Sequence, residues 1–161
     1  VEMGVDITEE DDSLLVCRHG RLQRANVKTM PYPGFPTDMQ PQIAAVLCLA
    51  DGTSVLTEGV WDNRYRYADE LRRLGAHIQV DGKIAVIEGV DKLTGAPMRA
   101  CDLRAGAAMV IAGLAAQGIT EIDCIQHIER GYENLVEKMA GIGADIKVVE
   151  TYTEEQQSNI G

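Results

Sequence analysis

Aromatic residues are scarce in this 161-residue chain: one Trp, one Phe and five Tyr. A core must therefore be aliphatic and alanine-rich. Basic charge is also short, with 15 Lys and Arg against 25 Asp and Glu, for a net −10. That balance argues against nucleic acid or an anionic membrane surface as the main partner, because both attract basic patches. It leaves room for a small anion held by a few local arginines. No apolar run reaches the ~20 residues a membrane helix needs. No signal-peptide pattern opens the chain, so the expected location is the cytoplasm. Val stands first instead of Met, and the expectation is a piece of a longer polypeptide. No CxxC spacing occurs. Cys17, Cys48, Cys101 and Cys124 are expected as small buried hydrophobes in a reducing compartment. His19, His77 and His127 have no metal-ligand spacing, and no metal is expected. No P-loop, GxGxxG or GxSxG motif is present.

The chain instead repeats itself. Gly4-Val5-Asp6-Ile7, Gly75-Ala76-His77-Ile78 and Gly143-Ala144-Asp145-Ile146 share one signature. In the two later copies the glycine follows a polar helical stretch, as a helix C-cap in the left-handed conformation does, and an alternating strand should follow. The interiors match as well. A strand (25–30 or 97–100) leads to an apolar helix (38–50 or 103–117), then a Gly, then a strand (53–58 or 119–124). A polar helix follows, and Asp81-Gly82 marks a hairpin to a further strand at 83–88. The unit is β-α-β-α-β-β, about 70 residues on the repeat-length scale.

The helix spanning Ala105 to Ala116 is apolar on every side, which predicts burial all round. The strands carry charge on alternate positions. The expected fold is therefore an inside-out α/β arrangement, with helices inside and sheets facing solvent. Residues 1–150 would form part of one such domain, with repeats starting near 4, 75 and 143. Residues 151–161 would be a polar tail.

Chemistry-bearing residues cluster at the loops that lead into helices. Thr37-Asp38-Met39-Gln40 fits a capping box, with Thr37 as N-cap and Gln40 at N3. Asp38 would then stand at the helix start, either serving the dipole or pointing its carboxylate into a cleft. Asp102 is a natural N-cap for the second apolar helix. Arg104 would sit in that helix's first turn, where free N–H groups make an anion site. Burying an arginine there requires an anion, either a protein carboxylate or a ligand. Arg64 and Arg130 occupy corresponding loops of their repeats, so Arg64, Arg104 and Arg130 are expected to meet near Asp38. A small polyanionic ligand would hold them together. Val60 and Trp61 precede Arg64 and would either wall that pocket or pack in the core. His127 adjoins the same loop.

Four stretches carry a specific resemblance: the run from Met30 to Gln40 through Pro31-Tyr32-Pro33-Gly34-Phe35-Pro36-Thr37-Asp38, then Trp61-Asp62-Asn63-Arg64-Tyr65, Asp102-Leu103-Arg104, and His127 to Glu133. Together they resemble the UDP-N-acetylglucosamine enolpyruvyltransferase family, over nearly the whole chain from about Val1 to Glu150. The resemblance implies two inside-out α/β domains of three β-α-β-α-β-β units, of which this chain would supply an incomplete domain from the C-terminal part. It implies transfer of enolpyruvyl from phosphoenolpyruvate to the sugar 3-hydroxyl with release of phosphate, in peptidoglycan synthesis, without metal or organic cofactor. By the same resemblance Asp38 is the proposed general base, and the backbone of Val60 binds the nucleotide sugar. Arg64 and Arg104 hold the phosphoenolpyruvate carboxylate, Arg130 its phosphate, and Asp102 lies near the reacting centre. The family's acid-bearing cysteine loop has no match here. The chain alone is therefore expected not to turn over, and its exposed edges are expected to favour self-association. Two alternatives stand beside this reading. One is the sister family that acts on shikimate 3-phosphate, which typically has lysine where Arg130 stands. The other is a non-catalytic binding domain of the same fold.

Overall fold

The computed structural model describes residues 2–150; the expected tail at 151–161 lies outside the described residues. The chain divides into two compact units, residues 1–131 and 132–161. In the first unit, β1 (Val5–Glu9) and β2 (Leu14–Arg18) form an antiparallel hairpin. A four-stranded sheet follows, built of β3 (Val27–Lys28), β4 (Thr53–Thr57), β5 (His77–Asp81) and β6 (Ile84–Glu88) in the order β3-β4-β6-β5. A third sheet pairs β7 (Pro97–Arg99) with β8 (Glu121–Asp123). The helices are α1 (Gln40–Leu47), α2 (Ala68–Arg73), α3 (Leu103–Ala115) and α4 (Gln126–Glu129). The second unit carries α5 (Leu135–Gly141).

The internal repeat is visible in the hydrogen bonds. β3 and β4 are parallel around α1, as β7 and β8 are around α3. Gly52 and Gly118, which follow those helices, both have φ +93°. The chain leaves α2 through Gly75, with Gly75 N–H donating to Arg72 O at 2.9 Å and Ala76 N–H to Leu71 O at 3.2 Å. It leaves α5 through Gly143 with the same bonds, to Ala140 O at 2.9 Å and Met139 O at 3.0 Å. Both glycines have positive φ, which a Cβ would penalise. The third copy stops there, because residues 144–150 join no strand ladder among the described residues. β5 takes its ladder from β6 across the Asp81-Gly82 turn, and no counterpart of that turn follows Ile146 among the described residues.

Helices lie inside, as the patterning requires. α1 packs on α3 through small residues, with Ala44, Ala45, Ala105, Ala108 and Ala112 all buried. Ser54, Leu56, Ala85, Ile87 and Ile78 face inward from the four-stranded sheet, while Thr53, His77, Gln79 and Glu88 face out. α3 is not buried all round, however. Ile111 and Leu114 are 38% and 41% exposed, because no described element covers that side. The cysteine expectation also needs correction: only Cys48 is buried, and Cys101 is exposed. Cys101 lies beyond the end of β7, in the short connection that precedes the Asp102 cap of α3. No helix among the described residues is long and apolar enough to cross a membrane.

Candidate functional site

The capping box does not form. Thr37–Met39 make a 3₁₀ turn, and α1 starts only at Gln40. Thr37 spends its hydroxyl elsewhere, donating to Glu58 Oε2 at 3.0 Å, and the Gln40 side chain is buried in the interior. Asp38 is consequently presented on the turn, ahead of the helix, with its carboxylate directed at two arginines.

Those arginines are two of the three expected. Arg64 Nη2 donates to Asp38 Oδ1 at 3.0 Å and Arg104 Nη2 to Asp38 Oδ2 at 3.0 Å. Each oxygen thus has its own guanidinium. Asp38 is 55% exposed, so these pairs are of the screened kind, worth about 0.2–1 kcal/mol each, and an incoming anion displaces them at small cost. Arg64 is better enclosed, and its Nε is buried with no hydrogen-bond partner among the described residues. An unpaired donor of that sort in a site marks a place for an acceptor.

Local structure explains why Arg104 reaches this point. Asp102 is the N-cap of α3 as expected, its Oδ1 accepting from Arg104 N at 2.9 Å and Ala105 N at 2.8 Å. Capping fixes the first turn and aims its side chains. Arg130 is placed differently. It is exposed at the end of α4 and makes no ion pair with Asp38. Its neighbours pack on the start of α3: a Cβ at Gly106 would lie 2.5 Å from Ile128, and one at Gly131 would lie 2.7 Å from Leu103. The two glycines let α4 sit against the turn that carries Arg104. His127 lies on the same short helix, half-buried.

The loop after β4 forms a polar recess of about 340 Å³ lined by Trp61, Asp62, Asn63, Arg64, Arg66 and Asp102. Trp61 is 58% exposed, which assigns it to the wall and not to the core. Lys83 holds the loop from outside through Asp62 at 2.9 Å. Val60 is partly exposed, and its N–H is committed to Glu58 Oε1 at 2.8 Å. Among the described residues no group of three or more His, Cys, Asp or Glu is arranged to hold a metal ion.

Sequence reading missed Glu58 altogether. It is 1% exposed and accepts from Thr29 Oγ1 (2.7 Å), Thr37 Oγ1, Val60 N and Trp61 N (3.0 Å). The available signal was a carboxylate at the end of an inward-facing strand, directly before Gly-Val-Trp. Burial pushes its pKa up, but the hydrogen bonds from Thr29, Trp61, Val60 and Thr37 outweigh burial and leave it below its ordinary 4.5. A carboxyl lowered in the folded state contributes stability above its unfolded value and loses it as pH falls through the folded one. The stability difference between wild type and Glu58→Gln should therefore be constant above about pH 4.5 and shrink below it. Melting temperatures of both proteins from pH 7 to pH 3 check this, and a difference that stays flat to pH 3 contradicts it.

Neither Cys48 nor Cys101 is prepared as a nucleophile at this site. Burial pushes the Cys48 thiol up to about 12, and it donates to Ala44 O at 3.1 Å. Partial desolvation and the nearby carboxylates of Glu70 and Asp102 raise that of Cys101. Iodoacetamide at pH 8 should label Cys101 at least about a hundredfold faster than Cys48, as peptide mapping will show. Equal rates would mean that α1 opens readily.

A protein-family model described as EPSP synthase (3-phosphoshikimate 1-carboxyvinyltransferase) matches residues 1–139. A UDP-N-acetylglucosamine 1-carboxyvinyltransferase 3 from Caldanaerobacter subterraneus subsp. tengcongensis is 59% identical over 146 residues, 91% of this chain and 35% of that protein. A UDP-N-acetylglucosamine 1-carboxyvinyltransferase from Desulfofundulus thermocisternus is 54% identical over 90% of this chain and 60% of its own length. Among solved structures, the enolpyruvyl transferase NikO from Streptomyces tendae superposes with a TM-score of 0.85 at 32% identity, over 94% of this chain and 35% of that one. EPSP synthase from Acinetobacter baumannii gives 0.61 at 20% identity, over 92% and 35%, a likeness of fold alone. The chain spans about a third of the length of most of these proteins.

Proposed function

We propose, from the premise that this chain belongs to the EPSP synthase family, that it is the C-terminal part of a UDP-N-acetylglucosamine 1-carboxyvinyltransferase of the cytoplasm. The observation that carries the reading is the Asp38 carboxylate held between Arg64 and Arg104 beside a polar recess. Two guanidiniums gathered around one exposed carboxylate form a ready site for a second one, that of phosphoenolpyruvate. When the substrate carboxylate takes the arginines, Asp38 is released to accept the proton of the sugar 3-hydroxyl. The hydroxyl oxygen bonds to C2 of phosphoenolpyruvate while C3 gains a proton from an acid outside this chain. C3 then loses a proton, the bond from C2 to the phosphate oxygen breaks, and inorganic phosphate leaves. Arg130, carried beside the start of α3, is the cation for that phosphate, and charge-assisted donors of this kind stabilise the charge that develops. Asp102 positions Arg104 through the cap. Val60 meets the nucleotide sugar through its backbone. Its N–H is already spent, so the carbonyl, an acceptor, is what remains to offer.

The relatives support this acceptor: those named for UDP-N-acetylglucosamine reach 50–59% identity, whereas the solved EPSP synthases stand at 20%. Phosphate release tests the reading. The chain is assayed with phosphoenolpyruvate and UDP-N-acetylglucosamine, alone and mixed with the remaining length of its relatives. Turnover only in the mixture supports it. Turnover with shikimate 3-phosphate in place of the nucleotide sugar transfers the chain to the sister activity. Folded partners that turn over neither acceptor leave a binding domain as the better account.

A further inference from the structure

Asp38 and Arg64 sit on different segments, and something must fix their spacing before any ligand arrives. Glu58 lies between those segments. Its Oε2 takes the hydroxyl of Thr37, the residue before Asp38, at 3.0 Å. Its Oε1 takes the N–H groups of Val60 and Trp61, at 2.8 and 3.0 Å, at the start of the loop that ends in Arg64. Thr29, fully buried in the interior, donates to the same Oε1 at 2.7 Å and accepts from Gly59 N at 2.8 Å. The close passage of the loop over Thr29 needs a glycine, since a Cβ at Gly59 would lie 2.2 Å from Thr29 O.

We propose that Glu58 is a positioning residue for the transfer reaction: its single buried carboxylate ties the turn bearing Asp38 to the loop bearing Val60 and Arg64. The inference rests on the activity proposed above. Among the described residues no salt bridge to this carboxylate is found, and its oxygens accept from four neutral donors. A buried ion is a weak way to gain stability, since apolar packing of similar volume does as well or better. What the ion supplies is geometry, because its acceptor oxygens are shared between the two segments that carry the chemistry. Displacement of a reacting group by about 1 Å is enough to cost about a hundredfold in rate.

The test isolates one bond. Thr37→Val keeps the shape of the side chain and deletes the donor, while Thr37→Ser keeps the donor and deletes a methyl. In the enzyme completed with the rest of its relatives' length, Thr37→Val should lower kcat about tenfold, with KM for phosphoenolpyruvate within about twofold of wild type. Thr37→Ser should keep at least about half of wild-type kcat. Wild-type kcat in Thr37→Val, or an equal fall in both variants, overturns the proposal. A second readout needs no activity. In the 161-residue chain, the Met39 amide donates to Pro36 O at 3.1 Å within the turn. Its hydrogen exchange should quicken about fivefold in Thr37→Val but not in Thr37→Ser, with the Cys48 amide of α1 as the unchanged control. Met39 exchange that Thr37→Val leaves unaltered sinks the clamp even if the transferase reading fails on its own assay.

Discussion

Replacing Asp38 by Asn should lower turnover of the completed enzyme by about 10²–10⁴-fold, the range a general base supplies, and at the same time tighten binding of phosphoenolpyruvate. The two effects have opposite sign because Asp38 does two things. It is the base for the acceptor hydroxyl, and in the unliganded site it is the counter-ion of Arg64 and Arg104. An arriving carboxylate must displace it. The amide removes the charge and keeps the size, leaving two guanidiniums with less to hold. Two exposed ion pairs at about 0.2–1 kcal/mol each place the gain at roughly two- to thirtyfold in Kd. Kinetics and calorimetry on the same preparation separate the terms. Weaker phosphoenolpyruvate binding in Asp38→Asn would show that the arginines do not receive the substrate carboxylate.

Removing one of those arginines should act on affinity first. Arg104→Ala is expected to raise KM for phosphoenolpyruvate about 10- to 100-fold, the worth of a charge-assisted hydrogen bond at about 1.5–3 kcal/mol. Arg104→Lys should recover only part of the loss, since an ammonium keeps the charge but not the planar fork. The helix should survive either change, because the Arg104 contribution to the cap is its backbone N–H. Asp38 keeps Arg64, so Asp38→Asn made in the Arg104→Ala background should tighten binding less than it does in wild type. Strict additivity of the two changes would mean that the residues act separately.

The frame of the molecule was legible because it rests on local rules. Gly75 and Gly143 announce helix ends through a backbone conformation few other residues adopt, and the alanine-rich helices announce burial through composition. The Asp102 cap and the meeting of Arg64 and Arg104 with Asp38 could be read for the same reason: helix starts and equivalent loops of a repeat are sequence-local features. The Thr37 pattern misled because the hydroxyl, donating to a carboxylate 21 residues away, is turned away from the first-turn N–H groups from which a capping oxygen accepts. Glu58 itself was invisible for that reason, since its four donors come from three separate segments. α4 is only four residues long and lies inside a stretch read as loop. The outer side of α3 was read as covered because composition reports the demand for burial and says nothing of which neighbour supplies it. For Arg130 the repeat fixed the neighbourhood of α3 but not the direction of a long, exposed side chain.

Trp61 is the only tryptophan in the chain, and its indole lies largely in solvent on the recess wall while its backbone N–H is pinned to Glu58. The protein therefore carries a built-in optical reporter at its proposed substrate mouth. Emission from a wetted indole is red-shifted and open to collisional quenchers, and a nucleotide sugar settling over it would change both. With the backbone beneath it anchored, that signal would register occupancy and not the wandering of a loop.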